Sequence, residues 1–167
     1  MKVLTLIRHA KSSWKDMTLD DFDRPLNKRG KKDAPIIGEH LASGVISLPD
    51  CFLSSPARRA LATARIIADG LGFRGRYILR DRRIYEASSE TLFEVVREVD
   101  DSCNHLVMFG HNPGFFMLAE ELCGFNEENF PTCAVLSIAL DIAEWREAAP
   151  GGGRANYYVS PKMLKRP

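Results

Sequence analysis

Val3-Leu4-Thr5-Leu6-Ile7-Arg8-His9-Ala10 is an apolar run that ends in a cation and an imidazole. A run of this length bounded by polar or turn residues reads as a buried strand. The pattern returns at Leu106-Val107-Met108-Phe109-Gly110-His111-Asn112-Pro113-Gly114. In open α/β sheets, ligands bind outside the carboxyl ends of the strands. Two strand-end histidines, one with arginine beside it, therefore point to phosphoryl chemistry. An uncharged imidazole nitrogen is a nucleophile toward phosphorus. Arg8 offers forked donors to phosphate oxygens, and its charge lowers the pKa of His9 and keeps the ring neutral.

Along the chain, strand and helix signals alternate. Lys2–Arg8 reads as strand, Lys15–Pro25 as loop, and Asn27 to about Ser43 as a helix stopped by Gly44. Asp50–Ser54 is a short strand. A helix follows, with Pro56 in its first turn, Leu61, Ala64, Ile67, Ala68 and Leu71 on its apolar face, and Gly72 at its end. Arg76–Leu79 is a short strand. Ser89–Val99 is a helix capped by Ser88 or Ser89. His105–Gly110 is strand, Gly114–Cys123 helix and Ala134–Leu140 strand. Gly151–Gly153 is a turn that closes a hairpin with Ala155–Ser160. This order predicts one α/β domain over residues 1–167. Its mostly parallel central sheet carries helices on both faces, and the final hairpin adds an antiparallel strand.

Three further stretches carry candidate chemistry. Ser54-Ser55-Pro56-Ala57-Arg58-Arg59-Ala60 places two arginines in the first turn of a helix, where the dipole disfavours cations. Such a conflict marks functional sites. Gly110-His111-Asn112-Pro113-Gly114 turns tightly at Gly110 and aims His111 into the cleft of His9. In Ile84-Tyr85-Glu86-Ala87, Glu86 is a candidate general acid. His40 is expected to lie at the surface or to be partly packed, and His105 is assigned no role.

Composition excludes several classes. The 167 residues suffice for one domain with a core, and 45% are hydrophobic and 27% charged, as in an ordinary globular chain. A net charge of +1 gives no bulk attraction to nucleic acid or membrane. No run is long enough for a membrane span, and the N-terminal run, broken by Arg8, does not read as a signal peptide. The four cysteines, Cys51, Cys103, Cys123 and Cys133, form no CxxC pair and are expected as buried free thiols in a reducing cytoplasm. No carboxylate cluster is spaced to hold magnesium, so neither metal nor cofactor is expected.

Together these blocks resemble the histidine phosphatase superfamily, related to phosphoglycerate mutase, and within it the SixA-type phosphohistidine phosphatases. The matching residues are Arg8-His9-Ala10-Lys11-Ser12-Ser13, Asp23-Arg24-Pro25-Leu26-Asn27-Lys28-Arg29-Gly30 and Ser55-Pro56-Ala57-Arg58-Arg59-Ala60 with Thr63-Ala64. Tyr85-Glu86-Ala87, Gly110-His111-Asn112-Pro113-Gly114 and Phe130-Pro131-Thr132 continue the match. Ala10 stands where many relatives have glycine. The resemblance implies that His9 becomes phosphorylated and that Arg8, Arg59 and His111 hold the phosphate. Arg58 faces solvent, and Glu86 falls where larger relatives place a proton donor. It also implies a domain without the large cap insertion of the mutases. The expected substrate is phosphohistidine in a partner protein. The alternatives are small phosphoesters, taken with broad specificity, or a phospho-ligand that is bound without catalysis.

Overall fold

The computed structural model describes residues 1–73 and 77–165. Six strands form one sheet in the order β3-β2-β4-β1-β5-β6. They are β1 (Lys2–Arg8), β2 (Cys51–Ser54), β3 (Leu79–Arg80), β4 (His105–Gly110), β5 (Val135–Leu140) and β6 (Gly153–Val159). β1, β2, β3 and β4 are mutually parallel, and β5 alone runs against its neighbours β1 and β6. The antiparallel strand expected from the hairpin is thus β5, inserted between β1 and β6. The predicted strand Arg76–Leu79 is found at Leu79–Arg80, and Arg76 lies outside the described residues.

The strands alternate between two cores, as a two-faced sheet requires. Leu4, Leu6, Leu106 and Met108 pack with Phe115, Leu118 and Val96 beneath α3 (Ser89–Arg97) and α4 (Gly114–Cys123). Ile7, Val107, Phe109 and Phe52 pack with Ile37, Ala64 and Ile67 beneath α1 (Lys28–His40) and α2 (Arg58–Gly70). A one-turn helix, α5 (Pro161–Leu164), follows β6.

Helix ends follow local chemistry. The Asn27 side chain accepts from the Gly30 N–H and starts α1, and the Ser88 hydroxyl accepts from Thr91 N–H and starts α3. Pro56 stands outside α2, because Ala57 is still extended (φ −54°, ψ 138°) and the helix begins at Arg58. The first helix runs on into a wider turn, Leu41–Val45, within which Gly44 reverses the chain at φ 94°.

Two of the four cysteines are not the free thiols expected from their spacing. Cys51 and Cys103 form a disulfide across a sequence separation of 52, while Cys123 and Cys133 are free. The topology brings the pair together, since Cys51 opens β2, which lies beside β4. A disulfide is the exception in a reducing cytoplasm, so that expectation loses its thiol argument. Among the described residues no helix is long and apolar enough to cross a membrane.

Candidate active site

The carboxyl ends of β1, β2 and β4 meet at one point. His9 N–H donates to the Gly110 carbonyl (3.0 Å) and Ser55 N–H to that of Phe109 (3.0 Å). These bonds extend the parallel ladder one step past each strand, so His9, Ser55 and His111 emerge side by side. The His9 and His111 ring centroids are 5.2 Å apart. Gly110 closes β4 with an ordinary negative φ; space decides the residue there. A Cβ would come within 2.5 Å of the Phe115 ring. The tight turn expected at Gly110 is therefore a close approach.

His9 is 7% exposed, and its Nδ1 lies 2.7 Å from the Ala10 carbonyl. A carbonyl only accepts, so Nδ1 carries the proton and Nε2 keeps its lone pair. Burial, set against the Ala10 bond and reinforced by His111, Arg59 and Arg8, pushes the His9 pKa down to about 3. His111 is likewise pushed down to about 3, first by burial and then by Arg59. Both rings are neutral at ordinary pH. His111 Nε2 lies 2.8 Å from Ser55 Oγ, which itself accepts from Ala57 N–H.

The two arginines of α2 separate as expected. Arg58 is exposed and Arg59 is 6% exposed. The Thr63 hydroxyl donates to the Arg59 carbonyl (2.7 Å) and accepts from Ala10 N–H (2.9 Å), tying α2 to the turn after His9. Arg8 Nη1 and Asn112 Nδ2 both donate to the Phe130 carbonyl. Burial first, then the Arg59 charge, lowers the Arg8 pKa.

Buried polar atoms are normally paired. Among the described residues five are not, and three of them are Arg8 Nε, Arg59 Nε and His111 Nδ1. Two belong to permanently charged groups. A pocket with cationic, unpaired donors around a neutral histidine suits a tetrahedral oxyanion.

Sequence reasoning missed four members of this site: Asp21, Arg24, Ser55 and Tyr85 were each assigned no role. Asp21 sits in a short helical turn, Asp21–Asp23, and takes bonds from Arg59, Arg24 and Tyr85. Arg24 also donates to Ser12 Oγ and stacks 3.5 Å over the Trp14 ring. Tyr85 stands edge-on to His111, with centroids 5.4 Å apart. The available signal was acidic residues beside Arg24 in a loop leaving a strand end, where functional side chains gather. Glu86 is exposed with φ 54°, a left-handed backbone that turns the chain just after Tyr85. His40 is half-buried against Tyr157, and His105 lies at the other end of β4.

Residues 4–106 match the histidine phosphatase superfamily (branch 1), a phosphatase family. The chain is 32% identical over 157 residues to the uncharacterized protein Rv1276c of Mycobacterium tuberculosis, covering 87% of this chain and 93% of that one. It is 31% identical over 170 residues to the uncharacterized chloroplastic protein At3g52155 of Arabidopsis thaliana, covering 95% and 77%. A SixA structure from Agrobacterium tumefaciens, assigned to the phosphohistidine phosphatases, superposes with a TM-score of 0.81 at 26% identity over 96% of this chain and 98% of that one. The chain belongs to the histidine phosphatase superfamily. Within it the chain is a hydrolase of the SixA type.

Proposed function

We propose that this phosphatase removes the phosphoryl group from phosphohistidine in a partner protein, through a phosphohistidine on its own His9. The observation that carries this reading is the trio of unpaired buried donors, Arg8 Nε, Arg59 Nε and His111 Nδ1, around a neutral His9. The His9 Nε2 lone pair attacks phosphorus in line, and a new N–P bond forms. The bond to the substrate nitrogen breaks, and its electron pair stays with the departing imidazole. Water then attacks the phosphorylated His9, the N–P bond electrons return to Nε2, and phosphate forms. Arg8, Arg59 and His111 hold the equatorial oxygens in both steps. For His111 to donate from Nδ1, Ser55 donates its hydroxyl proton to Nε2.

The leaving group is the basis for choosing phosphohistidine. A phosphoester departs as an alkoxide and needs a proton. Burial works to raise the Asp21 pKa, but donation from Tyr85, Arg59 and Arg24 outweighs it and holds the carboxyl well below its usual range. Asp21 is thus no acid, and Glu86 is exposed. A protonated phosphohistidine ring departs neutral without help. We also read residues 1–167 as one domain without a cap insertion, because α2, β3, α3 and β4 take up most of the described residues between Arg59 and His111. An uncapped cleft admits a side chain carried on another protein. No step requires a metal.

The test is turnover of a chemically phosphorylated histidine protein in excess EDTA, beside a panel of small phosphoesters. The wild type should prefer the phosphoprotein, and His9→Ala should be inactive on everything. Faster turnover of the small esters would replace the substrate assignment with its alternative.

A further inference from the structure

Arg59 meets the pocket with its terminal nitrogens already engaged. Nη1 donates to the Asp21 carbonyl at 2.6 Å and Nη2 to Asp21 Oδ2 at 2.9 Å, while Nε is buried without a partner. The same carboxylate receives Arg24 Nε and Nη2 on Oδ1, at 3.1 and 3.0 Å, and the Tyr85 hydroxyl on Oδ2 at 2.6 Å. One side chain from a three-residue turn thus gathers an arginine from α2, an arginine from its own loop and the tyrosine that flanks His111. It does so at the surface, since the Asp21 side chain is 43% exposed.

We propose that Asp21 is a positioning residue: it fixes which edge of Arg59 faces the phosphoryl group and so keeps free phosphate weakly bound. The claim rests on the phosphatase reading above. A free guanidinium turns its planar fork to an oxyanion and binds it bidentately. With the fork held by Asp21, the Nε edge is what remains for the anion. A bidentate grip on ground-state phosphate tightens binding without speeding the chemistry. Each turnover ends with phosphate in this pocket, so a tighter grip slows release. The Asp21 charge also stands beside Arg59 and offsets part of the attraction that Arg8 and Arg59 exert on the product.

The test measures binding of inorganic phosphate and tungstate by calorimetry, together with kcat and KM. Asp21→Asn should bind both anions about tenfold more tightly, as expected of one added charge-assisted hydrogen bond, with KM and kcat both lowered. Asp21→Ala should shift them in the same direction. In an Arg59→Ala background, Asp21→Asn should change anion affinity less than twofold, because its effect passes through Arg59. Asp23→Asn, an exposed neighbour in the same turn, should leave affinity and turnover at wild-type values. Unchanged or weaker anion binding in Asp21→Asn would overturn the proposal, as would an equal effect without Arg59. Anion binding is also measurable in His9→Ala. Retained turnover by His9→Ala would sink the phosphatase mechanism while leaving the Asp21 result legible, and an unmoved Asp21 variant would leave the mechanism standing.

Discussion

β4 begins at His105 and ends one residue before His111, and β1 begins at Lys2 and ends at Arg8, the residue before His9. Each end of this strand pair thus carries a cation beside a buried imidazole. At the amino end every donor is used. Lys2 Nζ donates to the Asp101 carbonyl, the Cys103 carbonyl and Asn104 Oδ1. His105 bonds through Nε2 to Thr5 Oγ1 and through Nδ1 to Ser47 Oγ. At the carboxyl end Arg8 Nε and His111 Nδ1 have no partner. Burial depresses the pKa of His105 as it does those of His9 and His111. A shifted histidine therefore does not mark the site. The unpaired donors set the carboxyl end apart, because buried donors are normally paired and these converge beside His9.

Substitutions should break the two ends differently. Arg59→Ala and Arg8→Ala should each lower kcat/KM by about two to three decades, the loss expected when a transition-state donor is removed. Arg58→Ala should cost a few-fold at most, and Lys2→Met should destabilise the fold while leaving the rate per folded molecule near wild type. Equal losses at Arg58 and Arg59 would contradict the geometry of α2. His111→Ala should lower kcat/KM by about 10²-fold, and its stability cost should be the smaller of the two, since the ring bonds one hydroxyl, Ser55, where His105 bonds two. His105→Ala should do the reverse, costing about 1–3 kcal/mol by stranding Thr5 and Ser47. Denaturant melts with kinetics normalised to folded protein separate the two, and a catalytic defect in His105→Ala would erase the contrast.

Acid acts on both ends alike. A histidine whose pKa falls from 6.5 to about 3 on folding stays neutral in the native state while the unfolded chain takes up its proton. Stability is therefore full above pH 6.5, falls as pH drops below it, and goes on falling toward pH 3. At pH 5 the loss is about 2 kcal/mol for each of His9 and His111. The gap between unfolding midpoints at pH 7 and pH 5 should shrink in a variant lacking the His9 and His111 rings, with His105 left to contribute, and an undiminished fall in that variant would count against burial as the cause. The smallest effect is expected at Glu86. Glu86→Gln should leave phosphohistidine turnover within a few-fold and slow only esters with poor leaving groups. A uniform loss across leaving groups would make Glu86 a pocket organiser.

Much of this was legible in the chain. β1, β4 and α4 fall at the residues their patterns predicted, because buried strands and an amphipathic helix write their burial into local periodicity. The meeting of His9 and His111 was legible too, since strand-end position is a local feature, whereas Arg59 was picked out from Arg58 by the resemblance. What escaped depended on distant chain. β5 runs between β1 and β6 through pairings that no local run encodes. The Cys51–Cys103 bond follows from β2 lying beside β4. Asp21 and Tyr85 sit in segments without periodicity, and their roles appear only where loop, helix and turn meet over Arg59.

The central claim is that His9 carries the phosphoryl group. Rapid quenching of the enzyme during turnover of a labelled phosphohistidine protein, followed by peptide mapping, tests it directly. The label should lie on His9, survive base and be lost in acid, and be absent from His9→Ala. Label on a serine or cysteine, or hydrolysis by His9→Ala at the wild-type rate, would contradict it.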